Sequence, residues 1–92
     1  MSEIGVECQT TADGWLARVA VLDGSSGREF QVSVSRAELA RFAPGSSEPS
    51  DLVRRSFEFL LAREPKESIL RSFDLSVIGR YFAEYEREIR KA

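Results

Sequence analysis

Apolar and polar residues alternate along the first third of the chain, which is the pattern of half-buried β-strands. Three segments show this alternation, at 4–10, 15–22 and 28–34. The stretches between them, 12–14 and 23–27, contain glycines, which accept the backbone conformations of tight turns. The middle segment is largely apolar on both of its faces, so we expect it at the centre of the sheet. Together the three segments predict a three-stranded antiparallel meander.

After the third strand the apolar residues recur at spacings of three and four, which predicts helices. Ser35 and Glu38 match a capping box at the start of a short helix. The linker-like segment 44–50, rich in proline, glycine and serine, ends that helix. Further helices are predicted at 52–63, 66–73 and 75–90. Three to four α-helices should therefore pack on one face of the sheet, and the predicted fold class is α+β.

The chain of 92 residues is expected to form a single domain, with its sheet part at 1–34 and its helical part at 35–92. Its first residues lack the basic and apolar regions of a signal peptide. No apolar run approaches the ~20 residues that a membrane span needs. These features predict a cytoplasmic protein without membrane contact.

Charge and residue usage disfavour several classes of function. The formal net charge of -2 disfavours general nucleic-acid binding, because phosphates attract proteins with a positive surplus. The chain has no histidine and a single cysteine, Cys8, which excludes an internal disulfide and a Cys-His zinc site and removes the commonest general base. No two carboxylates stand at a spacing that suggests a tuned acid–base pair. We therefore expect no enzyme activity, no catalytic, cofactor-binding or metal-binding residues, and no small-molecule substrate.

The segment 68–82 has the apolar spacing of two helices separated by a break at 74–76, as in a helix-turn-helix. In that register Val77 and Ile78 would face the DNA bases, where apolar side chains cannot make the hydrogen bonds that read a sequence. Arg80 would occupy a position that should point into the core. We therefore interpret this segment as two short helices of the core.

The nine aromatic residues, namely six phenylalanines, two tyrosines and one tryptophan, are many for a three-stranded sheet. Some apolar surface should stay uncovered, and such surface marks binding sites for partners. The candidate partner-binding residues are Phe59, Tyr81, Phe82 and Tyr85. The strand edges offer a second route to association. These features predict a homo-oligomer, such as a homodimer, or a complex with another protein.

Two resemblances bear on function. The residues that carry the first resemblance are Arg63-Glu64-Pro65, the run 69–75 and the aromatic ending at 81–86. Through them the segment 52–89 resembles the C-terminal part of a group of short bacterial proteins of unknown function. The run 13–19 is similar to the first hairpin of HicB-type antitoxins. The prediction is a small non-catalytic protein-interaction module that self-associates or binds a protein partner. The alternative is a DNA-binding or antitoxin-like regulator.

Overall fold

The fold is built on a four-stranded sheet, and the computed structural model describes residues 3–90. The strands lie side by side in the order β1-β2-β3-β4. Their bounds are Glu3–Thr10 for β1, Gly14–Asp23 for β2, Ser26–Ser35 for β3 and Ser72–Asp74 for β4. The first three strands form the antiparallel meander that the sequence predicts, whereas β4 pairs with β3 in parallel. The ends of the predicted domain, 1–2 and 91–92, lie outside the described residues.

The fourth strand corrects the prediction of a helix at 66–73. One turn of 3-10 helix, Lys66–Ser68, comes first, and the chain is then extended through β4. Two backbone hydrogen bonds continue the pairing with β3, from Gln31 N–H to Arg71 C=O at 2.7 Å and from Leu75 N–H to Ser33 C=O at 2.9 Å. A short isolated helix is marginally stable, whereas β4 supplies partners to peptide groups of β3 that would otherwise lack them. The sheet is therefore completed by the half of the chain that was predicted to be helical.

Four α-helices accompany the sheet, namely α1 at Arg36–Phe42, α2 at Ser50–Leu61, α3 at Ser76–Tyr81 and α4 at Tyr85–Arg90. The predicted capping box at the start of α1 is confirmed. The Glu38 N–H donates to Ser35 Oγ at 3.0 Å, and the Ser35 N–H donates to Glu38 Oε1 at 2.8 Å. These two bonds satisfy amides that a helix start leaves without partners.

The prediction of one continuous helix at 75–90 is wrong. The helix α3 ends at Tyr81, and Phe82 has an extended backbone with φ of -130°. The ring of Phe82 then packs edge-on against Phe59, with 5.7 Å between the ring centroids. The break redirects the chain, so that Tyr85 begins α4 with its side chain in the core.

The core lies on one face of the sheet. Alternate residues of β2 and β3, such as Val19 and Val32, are fully buried there. The helix α2 packs on this face, with the Phe57 ring 5.1 Å from that of Phe30. Leu22, whose side chain projects from the other face, is exposed. The general α+β class is thus confirmed, with one face of the sheet covered and the opposite face open.

No helix among residues 3–90 combines the length and the apolar character needed to cross a membrane.

Candidate functional site

An apolar groove of about 200 Å³, here called the Tyr81 groove, opens beside the C-terminal ends of α2 and α3. Its buried lining residues are Leu60, Ile69 and Ile78, and its half-buried ones include Phe73, Val77 and Phe82. Leu70 and Tyr81 also line it, and their side chains are 51% and 70% exposed. Among residues 3–90, these two belong to the few large apolar side chains that lie in solvent. The groove is therefore a concave apolar surface with projecting apolar side chains, which is the character of a binding site.

The course of the chain explains why the groove exists. After α2 the backbone passes through Pro65 and the 3-10 turn before it reaches the edge of the sheet as β4. This path leaves Ile69 buried and its neighbour Leu70 exposed, because extended residues alternate in direction. The helix α3 has only six residues, and Phe82 turns away at its end. The space beside Tyr81 is consequently not filled by a further turn of helix.

One acidic group, the half-buried Glu64, lines the Tyr81 groove. Among residues 3–90, no basic side chain lies within ion-pair distance of its carboxylate. Two other carboxylates of the helical half are paired, Glu84 with Arg63 at 3.3 Å and Glu86 with Arg41 at 2.6 Å. Glu64 thus places an unneutralised negative charge beside an apolar surface.

Two of the four predicted partner-binding residues reach this site, since Tyr81 and Phe82 both line the groove. The other two lie in the core, with Phe59 8% and Tyr85 0% exposed. The expectation that Tyr85 faces outward towards a partner is therefore wrong. Its hydroxyl shares a 2.7 Å hydrogen bond with Ser56 Oγ. Burial raises the pKa of Tyr85 to about 12, because the charged phenolate would be poorly solvated there.

Phe59 is held by aromatic neighbours and by a cation. Its ring meets those of Phe82 and Tyr85 edge-on at 5.7 and 5.3 Å. The guanidinium of Arg63 lies 3.6 Å from its centroid. The ring therefore supports the Tyr81 groove from behind, because it braces Phe82, and it does not itself line this groove.

Leu70 and Glu64 are groove residues that the sequence analysis missed. Within a predicted helix at 66–73, Leu70 belonged to an apolar edge and gave no sign of exposure. The available signal was the adjacent pair Ile69 and Leu70, since two neighbouring apolar residues cannot share one face of an extended strand.

A pair of carboxyl groups, Glu38 and Asp74, lies where α1 meets the junction between β4 and α3. The two side chains are hydrogen-bonded to each other. Asp74 also accepts hydrogen bonds from Ser33 Oγ at 2.7 Å, from the Ser76 N–H at 3.0 Å and from Ser76 Oγ at 2.7 Å. No sequence spacing indicated this pair, because the partners are distant in sequence and become neighbours only on folding.

The two pKa values move in opposite directions. Burial and the hydrogen bond with Asp74 raise the pKa of Glu38 to about 7. Burial alone would also raise the pKa of Asp74, but hydrogen bonds from Glu38, Ser33 and Ser76 outweigh it and lower this pKa to about 2. Between about pH 2 and pH 7, a protonated Glu38 therefore donates to an ionised Asp74. Each group also accepts a backbone N–H at the start of a helix, Glu38 from Ser35 at α1 and Asp74 from Ser76 at α3, so the pair joins these two elements.

The segment 68–82 does not form a helix-turn-helix. Its first half is β4 together with the extended residues before it, and only its second half, α3, is helical. The interpretation as two core helices is therefore correct for α3 alone. Among residues 3–90, no three acidic, cysteine or histidine side chains come together in an arrangement that could hold a metal ion.

Comparisons of the chain with protein-family models, with curated proteins and with solved structures found no match. The resemblances of the segments 52–89 and 13–19 to other proteins therefore stay predictions.

Proposed function

We propose that the protein is a cytoplasmic, non-catalytic protein-interaction module, which binds a partner through the Tyr81 groove. The observation that carries the proposal is the groove itself, in which Leu70 and Tyr81 project from a concave apolar surface. Exposure of such side chains lowers the solubility of a small protein, so their burial by a partner would be favourable. Tyrosine is also among the residues that contribute most to binding energy at protein interfaces.

The size of the groove favours a protein side chain as its occupant. Pockets for drug-sized ligands measure roughly 300–1,000 Å³, whereas this one measures about 200 Å³. A single large apolar side chain would fill a space of that kind. Its burial would contribute about 1.5–3 kcal/mol of transfer free energy.

The unneutralised carboxylate of Glu64 specifies the chemistry beside that side chain. A lysine or arginine next to the apolar residue could pair with Glu64 at the edge of the groove. Arg71 follows the exposed Leu70 in the chain, and Arg80 precedes the exposed Tyr81. Among residues 3–90, neither arginine forms an ion pair with an acidic side chain. Their charges would disfavour a uniformly basic segment. The preferred occupant is therefore a partner segment with one large apolar residue and one adjacent basic residue.

Peptide titrations followed by ¹H–¹⁵N correlation spectra test the proposal. One short probe peptide carries a tryptophan followed by a lysine between glycine and serine spacers, and a second carries glutamate in place of the lysine. We expect the lysine peptide to shift the amide signals of Leu70, Val77 and Tyr81, with a Kd on the order of 1 mM. The variant Glu64→Lys should reverse the preference between the two peptides.

Two variants provide the matched comparison for the groove. Tyr81→Ser removes an exposed apolar side chain from the groove, whereas Leu22→Ser removes an exposed apolar side chain from the open face of the sheet. Only Tyr81→Ser should weaken the binding of the lysine peptide. If neither peptide shifts the groove signals, or if Leu22→Ser has the larger effect, the proposed binding site is refuted.

A further inference from the structure

The outer edge of β1 presents peptide groups that no other strand uses. Among residues 3–90 no strand pairs with β1 apart from β2. The hairpin between them closes with a bond from the Thr11 N–H to the Gly14 C=O, at 2.8 Å. Bonding alternates along an antiparallel pair, so the odd-numbered residues of β1 bond to β2 and the even-numbered ones point their N–H and C=O groups outward.

One of these outward-pointing peptide groups already has a hydrogen-bond partner within the chain. The carbonyl of Ile4 accepts a hydrogen bond of 2.5 Å from Arg54 Nη1, as this alternation requires. The peptide groups of Val6, Cys8 and Thr10 follow on the same edge. β1 has eight residues and contains no proline or lysine, which are common means of blocking an edge. The opposite edge of the sheet, β4, has only three residues.

We propose that a second copy of this chain pairs with β1 through its own β1, antiparallel across a two-fold axis at Cys8. Three positions of the axis can be compared. An axis at Val6 would pair Ile4 with Cys8 of the second copy and would require the carbonyl that Arg54 occupies. An axis at Glu7 would set the two Glu7 carboxylates directly opposite each other, which is destabilising.

An axis at Cys8 avoids both conflicts. It pairs Cys8 of one copy with Cys8 of the other, and Val6 of each copy with Thr10 of the other. Each of these pairs can exchange two hydrogen bonds. Glu7 then lies opposite Gln9 of the second copy, whose amide can donate to the carboxylate. Within its own chain Glu7 lies opposite Arg18 of β2. The edge is thus complementary to itself in this register, as an isologous interface requires.

The pairing joins two four-stranded sheets into one continuous sheet. Edge pairing covers less surface than the 1,200–2,000 Å² of a standard interface, so we expect a weak dimer whose population depends on concentration. Glu48 should destabilise the dimer, because this carboxylate lies near Cys8 and would be repelled by Glu48 of the second copy close to the axis. Burial and the charge of Glu48 together raise the pKa of the Cys8 thiol. The variant Glu48→Gln should therefore strengthen association.

Cys8 is the only cysteine and is exposed, so its oxidative cross-linking reports the register directly. Copper-phenanthroline oxidation at alkaline pH should convert the wild-type protein into a covalent dimer. The matched control is the double variant Val6→Cys/Cys8→Ser, which moves the thiol two residues along the same edge. With the axis at Cys8, its two thiols are four residues apart, about 13 Å. Disulfides need Cα atoms within about 7 Å, so the control should cross-link several-fold more slowly after correction for thiol reactivity.

Sedimentation velocity over a wide concentration range provides the second measurement. Thr10→Pro removes one outward N–H from an exposed position and leaves the pairing of β1 with β2 intact, so it should abolish the dimer without unfolding the chain. A strict monomer at all concentrations would overturn the proposal. Faster cross-linking of the control would overturn the register. A dimer lost with Tyr81→Ser but kept with Thr10→Pro would assign self-association to the Tyr81 groove instead, and peptide binding by that groove is tested separately.

Discussion

Replacing Glu38 by glutamine should change how the stability of the protein depends on pH. In the folded protein the pKa of Glu38 is about 7, compared with an ordinary value of 4.5. Between these values the folded state holds a proton that the unfolded state has released. The contribution of Glu38 to stability is therefore fully present below pH 4.5 and is lost as the pH rises through about 7. Glutamine can donate to Asp74 as protonated Glu38 does, but it does not titrate.

The size of the effect follows from the difference between the two pKa values. Each pH unit corresponds to about 1.36 kcal/mol, so the full difference would amount to about 3.4 kcal/mol. Glu38 is only half-buried, and solvent screening should reduce the effect to about 1–2 kcal/mol. The chain contains no histidine, so no other side chain of ordinary pKa titrates between pH 5 and pH 7. The pH window therefore isolates the Glu38–Asp74 pair.

Urea denaturation followed by the fluorescence of Trp15, at several pH values from 5 to 8, measures this contribution. We expect the wild-type free energy of unfolding to fall by about 1–2 kcal/mol across this range. The Glu38→Gln variant should lose this slope and become the more stable protein at pH 8. Asp74 contributes in a separate window, because its lowered pKa makes its stabilisation disappear only as the pH falls from 3.8 towards about 2. Parallel pH profiles for the two proteins would refute the assignment of a shared proton.

Three further substitutions test the packing with the same urea assay. Phe57→Leu should destabilise by about 1–1.5 kcal/mol, because it removes a fully buried ring that packs on Phe30, and an effect near zero would contradict that packing. Tyr85→Phe should cost about 1–2 kcal/mol, because Ser56 Oγ loses the partner at 2.7 Å, whereas the exposed Tyr81→Phe should be neutral. Ser35→Ala should cost about 1 kcal/mol, because the first turn of α1 loses its cap, and the loss should persist at pH 5 and pH 8.

The strands β1, β2 and β3 and the capping box of α1 could be predicted from the sequence because their signals are local. Alternation identifies a strand within a few residues, and Ser35 and Glu38 form their bonds within a single turn. The same local reasoning was wrong for the segment 66–73. Its apolar spacing allowed a helix, and only the unpaired edge of β3 made the extended conformation of β4 the better solution.

The candidate site, too, could be predicted in part from local sequence spacing and depended in part on the tertiary structure. Tyr81 and Phe82 were identified as partner-facing aromatics from their spacing, and both line the groove. Tyr85 shares that spacing but is buried, because the chain turns at Phe82 and begins a new helix. The helical spacing of apolar residues predicts their faces only for a single straight helix, so it could not predict the break at Phe82.

The sequence by itself determined the α+β class, the meander and the start of α1, since each depends on contacts between near neighbours along the chain. Only the tertiary structure decided that β4 joins the sheet, that Glu38 and Asp74 become neighbours, and that Leu70 and Glu64 stand beside Tyr81. Each of these outcomes depends on residues that are far apart in sequence, whose proximity arises when the edge of β3 and the core face of the sheet are both covered.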